Sequence, residues 1–269
     1  MGGRFVLMDI APLFRKFGYE LYDSPGGEKG QGVIDAAFVN AKHRLLHQNN
    51  VGDTLVVRSI SAQDSGWLVS FALPSNNRLV YAKVIHGSLP GVVSLDELEG
   101  ATRRWVGKTV YARKRLVNTF DSTKGVLGSF KVSIDMPLKV IAVQPGMTPI
   151  PPLSLWVIVR TQDGREGFIP TNYGWTTIVK SRRHNRHPWD DDLVEINPRE
   201  QYQWDETIWQ AIDTHKLLPG MSREQVLLSW YEPQSRSAQG EGGGGSEVWR
   251  YPAQEVWFEA GALTKIIDR

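Results

Sequence analysis

Leu217-Leu218-Pro219-Gly220-Met221-Ser222-Arg223-Glu224-Gln225-Val226-Leu227-Leu228-Ser229-Trp230-Tyr231-Glu232-Pro233 is the stretch that sets the architecture of the C-terminal part of the chain. Pro219-Gly220 marks a turn, since proline cannot continue a helix and glycine takes positive φ at little cost. Before it, Asp205 to Leu217 reads as a short helix striped by Ile208, Trp209 and Ile212. After it, Ser222-Arg223-Glu224-Gln225 is a capping box: the serine oxygen accepts from the Gln225 amide, and the Gln225 side chain reaches back. The second helix closes near Trp230 and breaks at Pro233, with Val226, Leu227 and Trp230 expected on one face. So short a connection forces antiparallel neighbours. Their apolar faces need a cover, and two aromatic strands can supply it, Val248-Trp249-Arg250-Tyr251 and Val256-Trp257-Phe258. The Gly242 to Gly245 run precedes a strand, where phosphate-cradling loops precede a helix, so it reads as a plain loop.

Upstream of this module the basic run Lys180 to His187 meets Asp190-Asp191-Asp192 with no apolar periodicity, which reads as an exposed linker over 182–198. Before the linker, Thr109 to Arg113, Leu138 to Val143, Leu155 to Thr161 and Gly167 to Pro170 read as strands. Asp163-Gly164 is a hairpin turn between the last two. Ser94 to Trp105 is helix-compatible. Thr54 to Arg58, Trp67 to Leu73 and Leu79 to Ile85 form an antiparallel meander separated by Gln63-Asp64-Ser65-Gly66 and Pro74-Ser75-Asn76-Asn77. Val51 to Arg58 and Val106 to Arg113 look alike, so the unit at 33–100 is either an independent β unit or a duplicate of the next one. Residues 1–32 form an N-terminal segment whose Ser24 to Gly32 portion is loop by composition.

Two family resemblances follow from these residues. Trp156 to Gly164, then Gly167-Phe168-Ile169-Pro170-Thr171-Asn172-Tyr173, resembles the end of an SH3 domain; the likeness extends over about 101–179, within an expected SH3-like barrel at 101–181. SH3 domains dock polyproline helices between aromatic rings. The resemblance implies that Pro170 and Tyr173 stand at groove positions and Asn172 where a ligand can be hydrogen-bonded. Leu155 occupies the place of the ligand-stacking tryptophan, Trp156 that of the structural one, and the tyrosine-rich opening motif is missing. The second resemblance, over about 199–269, is to the SmpA/OmlA (BamE-like) family, carried by the helix and turn quoted above and by Phe258-Glu259-Ala260-Gly261-Ala262-Leu263. Tyr231 replaces the usual glycine before Pro233, and no lipobox cysteine exists. This resemblance implies a non-enzymatic protein of the bacterial cell envelope that contacts outer-membrane or envelope components. Trp249, Tyr251 and Trp257 would be its exposed contacts, within a strand set that must also supply core.

The expected fold class is therefore multidomain and mainly β with α+β: SH3-like small barrels followed by an αα-hairpin packed on an antiparallel sheet. With 269 residues the chain can hold several cores, and its formal net charge of +2 gives no reason to expect nucleic acid as a partner. The absence of cysteine excludes disulfides and thiolate chemistry. No apolar run of bilayer-spanning length occurs. Met1 to Phe17 is interrupted by Asp9, Arg15 and Lys16 and has no small-residue cleavage site, so it reads as an amphipathic segment packed on the body, with a membrane-surface anchor as the alternative.

His184-x-x-His187 with Asp190, Asp191 and Asp192 has metal-ligating residue types, but Pro188 and the linker composition favour a solvated stretch; His43-x-x-x-His47 lacks the glutamate of zinc proteases. No cofactor is expected. The function expected is a cell-envelope or periplasmic interaction module or scaffold whose partner is another protein. The alternatives are a cytoplasmic regulatory module binding a peptide or ligand in the SH3-like groove, and a metal-dependent enzyme.

Overall fold

A computed structural model describes residues 2–25, 44–64, 66–84, 89–148, 155–171, 193–239 and 246–269. The chain divides into two compact units, Met1–Val132 with Met136–Glu195, and Ser133–Asp135 with Ile196–Arg269. Most of the described elements are strands in antiparallel sheets.

The first unit opens with β1 (Arg4–Leu7), β2 (Asp9–Ile10), β3 (Tyr19–Tyr22) and β4 (Arg44–Leu45), a short helix α1 (His47–Asn50), and the meander β5 (Thr54–Gln63), β6 (Gly66–Leu73), β7 (Arg78–Val84); β8 (Val92–Ser94) then leads into α2 (Leu95–Trp105). These strands form a seven-stranded sheet in the order β4-β3-β7-β6-β5-β1-β8. The expected meander is present, and β5 runs further than expected, to Gln63. The N-terminus, expected as an amphipathic segment on the body, instead supplies an interior strand. Phe5 lies opposite Leu55 on one side and Ser94 on the other. Phe5 and Leu7 are buried with Leu21, Leu55, Phe71 and Leu73, which is the alternation of a half-buried strand.

The second sheet is built from β9 (Thr109–Ala112), β10 (Leu116–Asp121), β11 (Val126–Lys131), β12 (Leu138–Pro145), β14 (Leu155–Arg160), β15 (Glu166–Thr171) and β16 (Leu193–Val194), in the order β11-β10-β15-β14-β12-β9-β16. The Asp163-Gly164 turn is as expected, with Gly164 at φ 85°. The β10–β11 hairpin was not foreseen. β11 is largely exposed, β10 is mostly half-buried with Val117 in the interior, and Asp121 holds the turn by accepting from the Thr123 and Lys124 amides. Inside the sheet Val110, Val117, Leu138, Val157 and Val159 pack with Ala101 and Trp105 of α2. Between β12 and β14 lies β13 (Met147–Thr148), which pairs in parallel with β2 and joins the N-terminal segment to this region.

The second unit holds α3 (Pro198–Gln201), α4 (Glu206–Asp213), α5 (Arg223–Trp230) and a four-stranded antiparallel sheet of β17 (Ser235–Gln239), β18 (Ser246–Arg250), β19 (Gln254–Glu259) and β20 (Ala262–Asp268). The capping box forms as expected: Gln225 N donates to Ser222 Oγ at 3.3 Å and Ser222 N to Gln225 Oε1 at 2.8 Å. The buried face of α5 differs from the expected one. Val226 is interior, but it is joined by Leu228 and Ser229, while Leu227 and Trp230 are half-buried. The polar Ser229 belongs inside because its Oγ donates to Lys216 O at 2.9 Å and its carbonyl contacts His215 Nδ1 at 2.9 Å. The Trp230 indole N–H closes the same corner on His215 O at 2.7 Å. Tyr231 takes the glycine-like conformation of the position it occupies, at φ 65°, and its carbonyl accepts from Tyr251 Oη at 3.0 Å.

Candidate functional site

Of the groove residues expected from the sequence, the two that are described, Leu155 and Pro170, do not converge. On β14 the side chains of Leu155, Val157 and Val159 face the core that the sheet forms with α2, and Leu155 is fully buried there. Pro170 pairs with Trp156, not with Leu155, so it lies on the opposite face of the sheet. That face is already filled: Trp156 stacks on Phe168 at 3.9 Å, Phe120 lies beside them, and Ala11 and Met147 pack against the group. Leu155 is thus corrected from a ligand position to a core position, and Pro170 is half-buried beside the aromatic stack. Asn172 and Tyr173 lie outside the described residues, as do His184, His187 and the three aspartates Asp190 to Asp192.

The C-terminal aromatics are likewise redistributed. Trp249 is completely buried and Tyr251 nearly so, both in the core with Trp209, Ile212, Val256 and Phe258, so neither is an exposed contact. The Trp249 ring packs on Phe258 at 4.6 Å, lies under the Arg236 guanidinium at 4.4 Å, and donates its N–H to Glu247 Oε1 at 2.6 Å. Trp257 alternates to the other face and is half-buried. Around Glu247, burial alone would raise the carboxyl pKa. Hydrogen bonds from Trp249 and Arg223, and the charges of Arg223 and Arg236, outweigh it and hold the group below the usual carboxylate value.

A concave site occurs instead at the N-terminal turn of the first unit. After β2 the chain makes a tight 3-10 turn over Pro12–Phe17, with proline at its start, and reverses at Gly18 into β3. At Gly18 φ is 66°, and a Cβ there would come within 2.5 Å of the Leu45 carbonyl oxygen, so the reversal requires glycine. The turn leaves Leu13 82% and Phe14 44% exposed. Behind them is a cleft of about 350 Å³ lined by Ile10, Phe14, Phe17, Tyr19, Arg44 and Thr148, together with Gly18, Glu20 and Pro90-Gly91. Gly91, at φ 83°, sits 3.2 Å (from its would-be Cβ) from the Tyr19 ring, so a side chain would push that wall outward.

The floor of the turn is a polar clamp. Arg15 Nε donates to Ile10 O at 2.9 Å, and its guanidinium pairs with the Asp9 carboxylate at 3.0 Å. Asp9 Oδ1 also accepts the Ile10 amide at 2.7 Å and meets His47 Nε2 at 2.6 Å. Tyr19 Oη donates to Met8 O at 2.7 Å, and burial, aided by the charges of Asp9 and Asp53, raises its pKa. The clamp spends these groups on one another and fixes the turn against α1. Arg44 is different: its guanidinium lies 5.9 Å from the Tyr22 ring and forms no ion pair among the described residues. The cleft therefore combines aromatic walls with one cation, Arg44, and one carboxylate, Glu20, among its lining residues. It can take an apolar side chain, with Arg44 as the group that would meet a carboxylate beside it.

Sequence reasoning treated Met1 to Phe17 as one segment and so missed this site. The readable signals were Pro12 and Gly18 bracketing a turn, and Leu13-Phe14 next to Arg15-Lys16. Among the described residues no group of three His, Asp or Glu side chains is placed to hold a metal ion, and no helix is long and apolar enough to cross a membrane. Compared with protein-family models, curated proteins and solved structures, the chain matches none.

Proposed function

We propose that this chain is a non-enzymatic interaction protein of the bacterial cell envelope, a periplasmic module or scaffold whose partner is another protein. The observation that carries the binding role is the N-terminal cleft, with Leu13 and Phe14 held out into solvent above it by a turn that Asp9, Arg15 and His47 make rigid. Apolar side chains displayed on a rigid turn are what a protein contact uses, since little order remains to be imposed on binding. Arg44 at the rim selects a partner segment that carries a carboxylate beside an aliphatic or aromatic side chain. The envelope assignment rests on the SmpA/OmlA-like residues of the C-terminal module. It is supported by the αα-hairpin, the capped α5 and the four-stranded antiparallel sheet found there. The SH3-like reading of 101–181 is supported by the antiparallel pairing of its strands and the Asp163-Gly164 hairpin.

Fractionation of the source cell with an antibody against the chain tests the location. Recovery with the envelope is expected; recovery in the cytosol would discard that role in favour of a cytoplasmic regulatory module. Crosslinking in intact cells tests the site. Phe14→Asp and Arg44→Glu should each remove a crosslinked partner while leaving thermal stability unchanged. A crosslinking pattern indifferent to both changes would refute the cleft as the contact.

A further inference from the structure

We propose that β11 is a self-pairing edge, through which two copies of this chain join antiparallel about a two-fold axis to make one continuous sheet. An open strand edge presents unpaired amides and carbonyls, and folded proteins blunt such edges by shortness, charge or cover. The other terminal strands of the three larger described sheets are short, polar or covered. In the first sheet β4 has 2 residues, and β8 has 3, all buried. In the second sheet β16 has 2. β17 carries the polar sequence Ser-Arg-Ser-Ala-Gln. β20 is covered at its start, where Gly220 N donates to Leu263 O and Leu263 N to Met221 O at 2.7 Å each, and further on it carries Lys265 and Asp268.

β11 carries one charge, Lys131 at its last position, and among the described residues it is neither short nor covered. It holds 6 residues, pairs with β10 without a bulge, and contains no proline. Val126 is 55% and Leu127 45% exposed. The ladder phase shows which groups are open. Val132 N donates to Arg115 O at 3.1 Å, and bonded pairs alternate along an antiparallel ladder. Val126, Gly128 and Phe130 therefore bond towards β10, while the amides and carbonyls of Leu127, Ser129 and Lys131 point away from it.

These outward groups are self-complementary. With Ser129 opposite Ser129 of the second copy, Leu127 falls opposite Lys131 and Lys131 opposite Leu127. Each of these is a bonded pair that exchanges two hydrogen bonds. Like charges never meet, and the lysine stem lies along a leucine. Gly128 falls opposite Phe130 of the second copy. The contact is short, below the ~1,200 Å² of standard interfaces, so the association is weak and concentration-dependent. The pairing does not depend on where the protein resides, so the fractionation above bears on neither its success nor its failure.

Sedimentation equilibrium of the full chain up to about 500 µM, a range suited to so small a contact, tests it. The expected mass rises with concentration from 30.3 kDa towards twice that value. Ser129→Pro removes an outward amide and no bond to β10, so it should hold the protein at the monomer mass with its circular dichroism unchanged. Leu127→Lys sets lysine against lysine and should do the same without touching the fold, and adding Lys131→Glu to it should restore the dimer. A wild-type monomer at the highest concentration overturns the proposal. So does a dimer that survives Leu127→Lys, since the contact would then lie elsewhere, and so does a double variant that stays monomeric.

Discussion

Replacing Trp249 with alanine separates a core role from a contact role at the residue where sequence and structure diverge most. The indole is wholly buried and makes the Phe258, Arg236 and Glu247 contacts already given. Large-to-alanine changes at such sites cost about 3–5 kcal/mol through lost transfer energy and the cavity left behind. The hydrogen bond to a carboxylate, worth about 1.5–3 kcal/mol, overlaps that figure and is not added to it. A loss of about 4 kcal/mol is a large share of the ~5–15 kcal/mol that holds a small domain together. For a unit of this size it corresponds to a fall of roughly 15–30 °C in melting temperature. Hydrogen–deuterium exchange over β18–β20 in the intact chain reads the change locally, because those amides exchange through opening of this unit. Accelerated exchange across all three strands is expected. Unchanged exchange combined with loss of partner crosslinking would refute the reasoning and return Trp249 to the surface.

The same cluster sets a pH response. Glu247 is held below its unfolded value near 4.5, so its contribution is complete above that pH and lost as pH falls through the folded pKa. Glu247→Gln should flatten this acid limb in denaturation curves measured between neutral and acid pH. Ser222→Ala removes one half of the α5 capping box and should cost about 1 kcal/mol, visible as a lower denaturant midpoint at constant slope. Tyr19 and Tyr251 both have pKa values raised first by burial, so among the 8 tyrosines these two should stay protonated as pH passes 10. Ultraviolet difference absorbance should show them ionising only on unfolding; ionisation in the folded protein would contradict their burial. Gly18→Ala forces a Cβ onto the Leu45 carbonyl and should destabilise the first unit by more than the ~1 kcal/mol of an ordinary left-handed alanine, read by thermal melting.

What the amino-acid sequence determined by itself is the local layer. The capping box at Ser222, the turns at Pro219-Gly220 and Asp163-Gly164, the β5–β7 meander and the α2 helix all follow from spacing within a few residues, where sterics and hydrogen bonding act without outside help. The mainly β class was legible for the same reason. Tertiary structure alone decided which face of each element turned inward. The register of β14 against β15 places Leu155 and Pro170 on opposite faces, and the packing of Val157 and Val159 against α2 decides which is core. Aromatic strands advertise burial and contact equally well until the helices cover one side, and α4 and α5 cover Trp249. The insertion of Arg4–Leu7 between β5 and β8 pairs residues about fifty and ninety positions apart, and no local pattern encodes so distant a partner. The N-terminal cleft depends on that insertion, because Thr148, Gly91 and Arg44 reach Phe14 only once the strands have assembled around it.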